Sequence, residues 1–308
     1  MISTADPRFS AQVVSFIHAF ATPIKMRHQR LFILFAFLCM GAQAQWLNFP
    51  TPGTPRTPDG KPNLTAPAPR AADGKPDLSG VWMHELTSVA EMRRLYGAMI
   101  DAALKVDVPG MEIGTQHKYA FNILVDFKPA ESPMRPEAAE RMRRNQASLN
   151  SADFCSGVPG IPLADLLSEP IKIAQSPRLT VIMHEAGNSH RQIYTDGRGL
   201  PKEFDYPAWL GYSVGHWERD VFIVETAGFN DKTGLDMIGH PHSEALRITE
   251  RYHRSDFGHM EVETTFDDPQ MYTKSFTIKV PHDLLADSDI FESFCTENEK
   301  DRAHIQKQ

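Results

Sequence analysis

Two histidines, two carboxylates and two arginines fall within the stretch GHPHSEALRITER, residues 239–251. Histidine changes charge near neutral pH, and beside a carboxylate it can take and return a proton. His242 with Glu244 is the candidate acid–base pair, and His240, Arg247 and Asp196 are further catalytic candidates. His240, His242 and Asp236 also offer a divalent-metal set of imidazole and carboxylate ligands. Pro241 favours extended backbone at His240, which sends the two imidazoles to opposite sides, so the spacing alone does not form a chelate. On a strand Glu244, Leu246, Ile248 and Glu250 share one face, and Ala245, Arg247, Thr249 and Arg251 the other. The segment 259–266 repeats this mixture with His259, Glu261 and Glu263. Two readings stand open. The charges lace an outer face with ion pairs worth little each, or Arg247, Arg251, Glu261 and Glu263 face an interior where they need partners and carry perturbed pKa values.

A second group suits ligand binding. Tyr194, Trp209, Tyr212 and Trp217 supply aromatic surface, and Arg198, His259 and Glu261 supply polar edges, a combination fitted to a small hydrophobic or aromatic ligand. Asp196 and Gly197 within YTDGR also make a turn, with the carboxylate accepting backbone N–H groups. The chain contains no G-x-S-x-G elbow, phosphate-cradling glycine loop or dinucleotide fingerprint, so neither an organic cofactor nor a serine-hydrolase mechanism is implied by motif, and a divalent metal is the open alternative.

The start of the chain predicts where this chemistry operates. From Met26, basic Arg27 and Arg30 precede an apolar run at 31–40 and then Ala42-Gln43-Ala44, the pattern of a signal peptide over 26–44. The run is too short for a spanning helix, so no stable membrane anchor is expected after cleavage. Residues 1–25 then read as a spurious extension, and the mature protein as periplasmic or secreted. Removing 1–44 takes away four basic residues (Arg8, Lys25, Arg27, Arg30) and one acidic residue (Asp6), which moves the net charge from −7 to −10 and disfavours nucleic acid as a partner. Cys155 and Cys295 are left, a candidate disulfide in an oxidising compartment, with two free thiols as the alternative.

Residues 45–78 are rich in proline and glycine and hold an approximate duplication, DGKPNL at 59–64 and DGKPDL at 73–78, which predicts turns and extended chain. A helical insertion is predicted at about 87–150, with short helices over 87–104 and 136–148. From 171 the apolar period becomes two, and strands are predicted at 171–174, 179–184, 191–194, 212–217, 221–226, 246–253, 259–266, 272–280 and 290–295. Compact turns between them point to a mainly β fold, an antiparallel barrel over 79–308 whose closure removes exposed edges.

Gly80-Val81-Trp82 looks like the G-x-W of the first strand in lipocalin-like (calycin-type) barrels, where the tryptophan closes one end. DGKPDLSGVW at 73–82, YTDGR at 194–198, WLGYSVGHWE at 209–218, GFND at 228–231, GHPHSEALRITERY at 239–252 and DFGHMEVE at 256–263 together resemble a group of exported bacterial proteins with a lipocalin-like fold. The resemblance implies location and fold and brings no catalytic residues. From the residues themselves two functions follow. One is an exported barrel enzyme of lyase, isomerase or hydrolase type acting by acid–base chemistry on a small hydrophobic or aromatic molecule. The other is a non-catalytic carrier of such a ligand.

Overall fold

The structure, a computed structural model, describes residues 50–103, 117–148 and 160–292. The extension 1–25, the signal segment 26–44 and the Cys155–Cys295 pairing lie outside these residues.

Nine strands close a barrel in chain order: β1 (Gly80–His84), β2 (Ile171–Gln175), β3 (Leu179–His184), β4 (His190–Tyr194), β5 (Tyr212–Glu218), β6 (Val221–Ala227), β7 (Arg247–Arg254), β8 (His259–Asp267) and β9 (Phe276–Leu284). An odd strand count cannot close with reversal at every step, because the first and last strands would then run the same way. β1 and β9 pair antiparallel, so one same-direction neighbour must occur elsewhere, and it is β4 beside β5. This corrects the expected all-antiparallel meander. The segment 195–211 carries the chain back before β5 begins. The parallel ladder is short, matching Ile193 with Ser213 and Tyr194 with Val214. The strand expected from 272 begins at Phe276, and residues 290–292 form no strand.

Among the described residues four α-helices fall in the expected insertion and a short fifth follows it. α1 (Val89–Tyr96) starts at Ser88, whose hydroxyl accepts from Glu91 N, and ends at Gly97 with φ 58°. α2 (Ala98–Ala103), α3 (Lys118–Phe121), α4 (Pro136–Ser148) and α5 (Leu163–Leu166) follow. Among the described residues no helix is long and apolar enough to cross a membrane.

The alternation of the strands decides what lies inside. Ile248, Glu250, Tyr252 and Arg254 of β7 are buried, as are Met260, Val262, Thr264 and Phe266 of β8 and Phe276, Ile278, Val280, His282 and Leu284 of β9. One apolar cluster fills the end around Trp82, Phe222 and Leu284, and another the end around Phe229, Phe266 and Phe276. Trp82 is fully buried and donates Nε1–H to Leu78 O at 3.0 Å. The Arg254 guanidinium lies over its ring at 4.8 Å and donates to Asp77 O at 2.5 Å, closing that end.

The duplicated segment before β1 makes two equivalent turns. Thr57 N donates to Lys61 O and Asn63 N to Pro55 O; Ala71 N donates to Lys75 O and Asp77 N to Pro69 O. Gly60 and Gly74 sit at φ 83° and 82°, a conformation glycine adopts without a side-chain clash. Each turn presents an arginine to a carboxylate at the Trp82 end. Arg56 reaches both oxygens of Asp287 at 2.6 Å, and Arg70 those of Asp220 at 3.0 and 2.9 Å.

Candidate functional site

The histidine loop lies at the end opposite Trp82, and it is buried. His240 and His242 are 4% and 1% exposed. Asp236 ties the loop together: its Oδ1 accepts from His240 N at 3.0 Å, and its Oδ2 accepts from Ile123 N at 2.7 Å and meets His240 Nδ1 at 2.5 Å. His242 Nε2 meets the Thr233 hydroxyl at 2.7 Å, and its ring lies edge-on to Phe229. Burial pushes the His242 pKa below its ordinary value. Asp268 accepts from Ser243 N and Oγ, and Tyr272 donates to Pro241 O at 2.8 Å. Such a loop is a hydrogen-bonded cap on the apolar cluster beneath it.

The structure separates the residues that the sequence groups here. Glu244 and Arg247 are exposed, and no hydrogen bond joins Glu244 to His242. Asp196 and Arg198 belong to the opposite end, where Thr195 N donates to Arg178 O. His240 and His242 hold different partners, and among the described residues no group of three or more His, Cys, Asp and Glu is placed to hold a metal ion. The interior set also differs from the expectation. Arg247, Arg251, Glu261 and Glu263 point outward, with Lys279 2.7 Å from Glu263 and 3.8 Å from Glu261. The alternative of a charge-laced outer face is the one observed.

Arg191 and Glu250 form an ion pair in the interior, 2% and 1% exposed. Arg191 Nη1 donates to Glu250 Oε1 at 2.9 Å and Nη2 to Oε2. Arg191 Nε donates to Ser213 Oγ at 3.0 Å, Nη2 also to Thr226 Oγ1 at 2.6 Å, and Tyr252 OH to Glu250 Oε1 at 2.8 Å. Burial is the strongest single influence and opposes the charged guanidinium, but the Glu250 charge and hydrogen bond, with Tyr252 and Asp165 nearby, together hold Arg191 above its ordinary pKa. Leu246, Ile248 and Tyr252 alternate with Glu250, so the apolar members of that face were the signal that this carboxylate turns inward. The space beside it, about 20 Å³ lined by Asp165, Tyr252 and His282 among others, is the size of one water and not of an organic ligand.

Ligand-sized space lies on the barrel wall instead. Where β4 and β5 diverge below their short ladder, a groove of about 500 Å³ opens, lined by 187–192, Tyr194 and 208–212. Three predicted binding residues converge on it. Tyr194 and Tyr212 stack with centroids 5.2 Å apart, and Trp209 lines the groove with 39% of its surface exposed. Arg198 lies over the Tyr194 ring at 4.0 Å, donates to Tyr212 OH at 3.1 Å, and is paired with Asp196. The Asp196 carboxyl is held below the ordinary range chiefly by that hydrogen bond. The other candidates lie elsewhere: Trp217 packs on Phe222, His259 bonds Asp256 at 2.7 Å, and Glu261 faces outward on β8.

The fold and groove define a closed β-barrel with a ligand-sized recess in its wall. Comparison with protein families, curated proteins and solved structures finds no match to the chain.

Proposed function

We propose that the protein is an exported, lipocalin-like barrel that binds a small hydrophobic or aromatic molecule in the wall groove between β4 and β5. The observation that carries this reading is that the stacked Tyr194 and Tyr212, braced by the Arg198 guanidinium, and the part-exposed Trp209 line a groove of about 500 Å³. The interior space beside Glu250, by contrast, holds only about 20 Å³. Acid–base turnover by His242 with Glu244 lacks support, because one is buried with other partners and the other is exposed.

Titration with 4-nitrophenol as a ring probe, followed by tryptophan fluorescence, tests the site. Saturable quenching in the wild type, lost in Trp209→Phe and with affinity weakened about fivefold in Tyr212→Ala, is expected for an aromatic contact of about 1 kcal/mol. Unchanged affinity in Tyr212→Ala and Tyr194→Ala would remove the groove from the reading. Native mass spectrometry of protein from its own cell then identifies the ligand.

A further inference from the structure

The edge of the groove carries side chains that binding alone does not use. Ser189 lines the groove, and its Oγ lies 3.2 Å from His184 Nδ1. Nε2 of the same ring lies 2.8 Å from Asp165 Oδ1. Three neighbouring elements supply this row: His184 ends β3, Ser189 closes the turn before β4 five residues on, and Asp165 comes from α5. The backbone fixes their spacing, since His184 N donates to Ser189 O at 2.9 Å and Asp165 N to Pro162 O at 2.9 Å. Gly187 and Asn188 both occupy the left-handed region, at φ 67° and 50°, so the nucleophile candidate follows directly on a non-glycine residue in an uncommon conformation.

His184 is 2% exposed, while Ser189 is half-buried and opens to the groove. Burial works most strongly against the ionised form of Asp165, but the His184 hydrogen bond together with the electrostatic effect of His184, Arg191 and His282 nearby holds the carboxyl below its ordinary pKa. A carboxylate on Nε2 fixes the tautomer with the proton there, which leaves Nδ1 as the basic nitrogen facing the hydroxyl.

We infer that Ser189 is a nucleophile for acyl transfer, with His184 as its general base and Asp165 as the residue positioning the imidazole, acting on carboxylic esters that carry a ring. The inference rests on the groove reading, which supplies the seat for the ring. In the first step Ser189 Oγ bonds to the ester carbonyl carbon and its proton passes to His184 Nδ1. The carbon–oxygen bond to the leaving alcohol then breaks, and that oxygen takes the proton from Nδ1. Water attacks the acyl-serine in the same way: its proton passes through Nδ1 to Ser189 Oγ, and a carboxylic acid leaves. No electrons are gained or lost, and water is the co-reactant.

Wild-type protein is treated with a fluorophosphonate and mapped by mass spectrometry, and its hydrolysis of 4-nitrophenyl acetate is compared with that of Ser189→Ala. One phosphonyl group per chain at Ser189 is expected, with hydrolysis about 10³-fold slower in Ser189→Ala. Asp165→Asn is expected to lower kcat with KM little changed, which a merely structural role for the row would not produce. Absence of label at Ser189, or hydrolysis by Ser189→Ala at the wild-type rate, overturns the assignment. 4-Nitrophenol binding to the wild type and to Tyr212→Ala is measured separately: if the two bind alike while wild-type Ser189 takes the label, the groove reading falls and the nucleophile assignment stands.

Discussion

Arg191 of β4 and Glu250 of β7 meet inside the barrel through two parallel hydrogen bonds, although neither strand is the other's neighbour. Ser213, Thr226 and Tyr252 complete the network. The pair thus spans the space enclosed by β4, β5, β6 and β7, the part of the wall where the parallel ladder is shortest.

Removing one charge leaves the other buried without a partner. Glu250→Gln or Arg191→Met is expected to lower the unfolding free energy by about 3–5 kcal/mol, whereas the double variant Arg191→Met with Glu250→Leu recovers most of the loss. Denaturant unfolding of the three variants checks this. A double variant as unstable as the sum of the singles would mean that the pair does more than satisfy its own charges.

Acid should destabilise the fold through its buried imidazoles. Burial, with His84 nearby, pushes His117 from 6.5 down to about 3 and His282 down to about 4. Both are neutral in the folded state, and the unfolded chain binds their protons first. Stability is therefore complete above about pH 6.5 and declines toward pH 4, by up to about 1.4 kcal/mol per pH unit for each histidine. Urea unfolding across pH 4–7 should show this slope, and His282→Gln should flatten it. An unaltered slope in that variant would place the acid sensitivity elsewhere.

The 195–211 strap is seated by a close approach of Phe204 to Gly228, which has φ 74°. A Cβ at 228 would collide with the Phe204 ring. Gly228→Ala is expected to cost about 1–3 kcal/mol through overpacking and left-handed backbone strain, and to change 4-nitrophenol affinity by lifting the strap. Calorimetry and the fluorescence titration read the two effects; an unchanged melting temperature would show that the strap accommodates the methyl freely.

The loop cap offers a sharper contrast between the two chemistries considered for it. His242→Gln keeps a polar group near Thr233 but removes the ring packed against Phe229. Melting temperature should fall, while the proposed hydrolysis of 4-nitrophenyl acetate and binding of 4-nitrophenol should match the wild type. Loss of activity with unchanged stability would restore His242 as a catalytic group.

Much of the barrel was legible because alternation sorts a strand into two faces. The segments 179–184, 221–226 and 259–266 became β3, β6 and β8 within a residue or two. The parallel step was less visible, since the direction of β5 depends on the path of 195–211 rather than on its own residues. Among the site candidates, Tyr194, Arg198, Trp209 and Tyr212 came together because they flank one short ladder. The histidine loop misled for a physical reason: glycine, proline and aspartate mark an irregular backbone, but Asp236 and Asp268 here spend their oxygens on main-chain N–H groups and pull the loop inward. Ser189, His184 and Asp165 carry no local motif. Their row exists only once β3, its turn and α5 are assembled.

The two arginine-bearing turns ahead of β1 grip the barrel at separate points, one at Asp287 and one at Asp220. Each exposed pair is weak alone, but while one holds, the other stays at high local concentration near its carboxylate and re-forms readily. The attachment therefore behaves as a bivalent one. Peeling the segment from the Trp82 end requires both grips to open together, so salt or a single substitution loosens it less than the strength of either pair suggests.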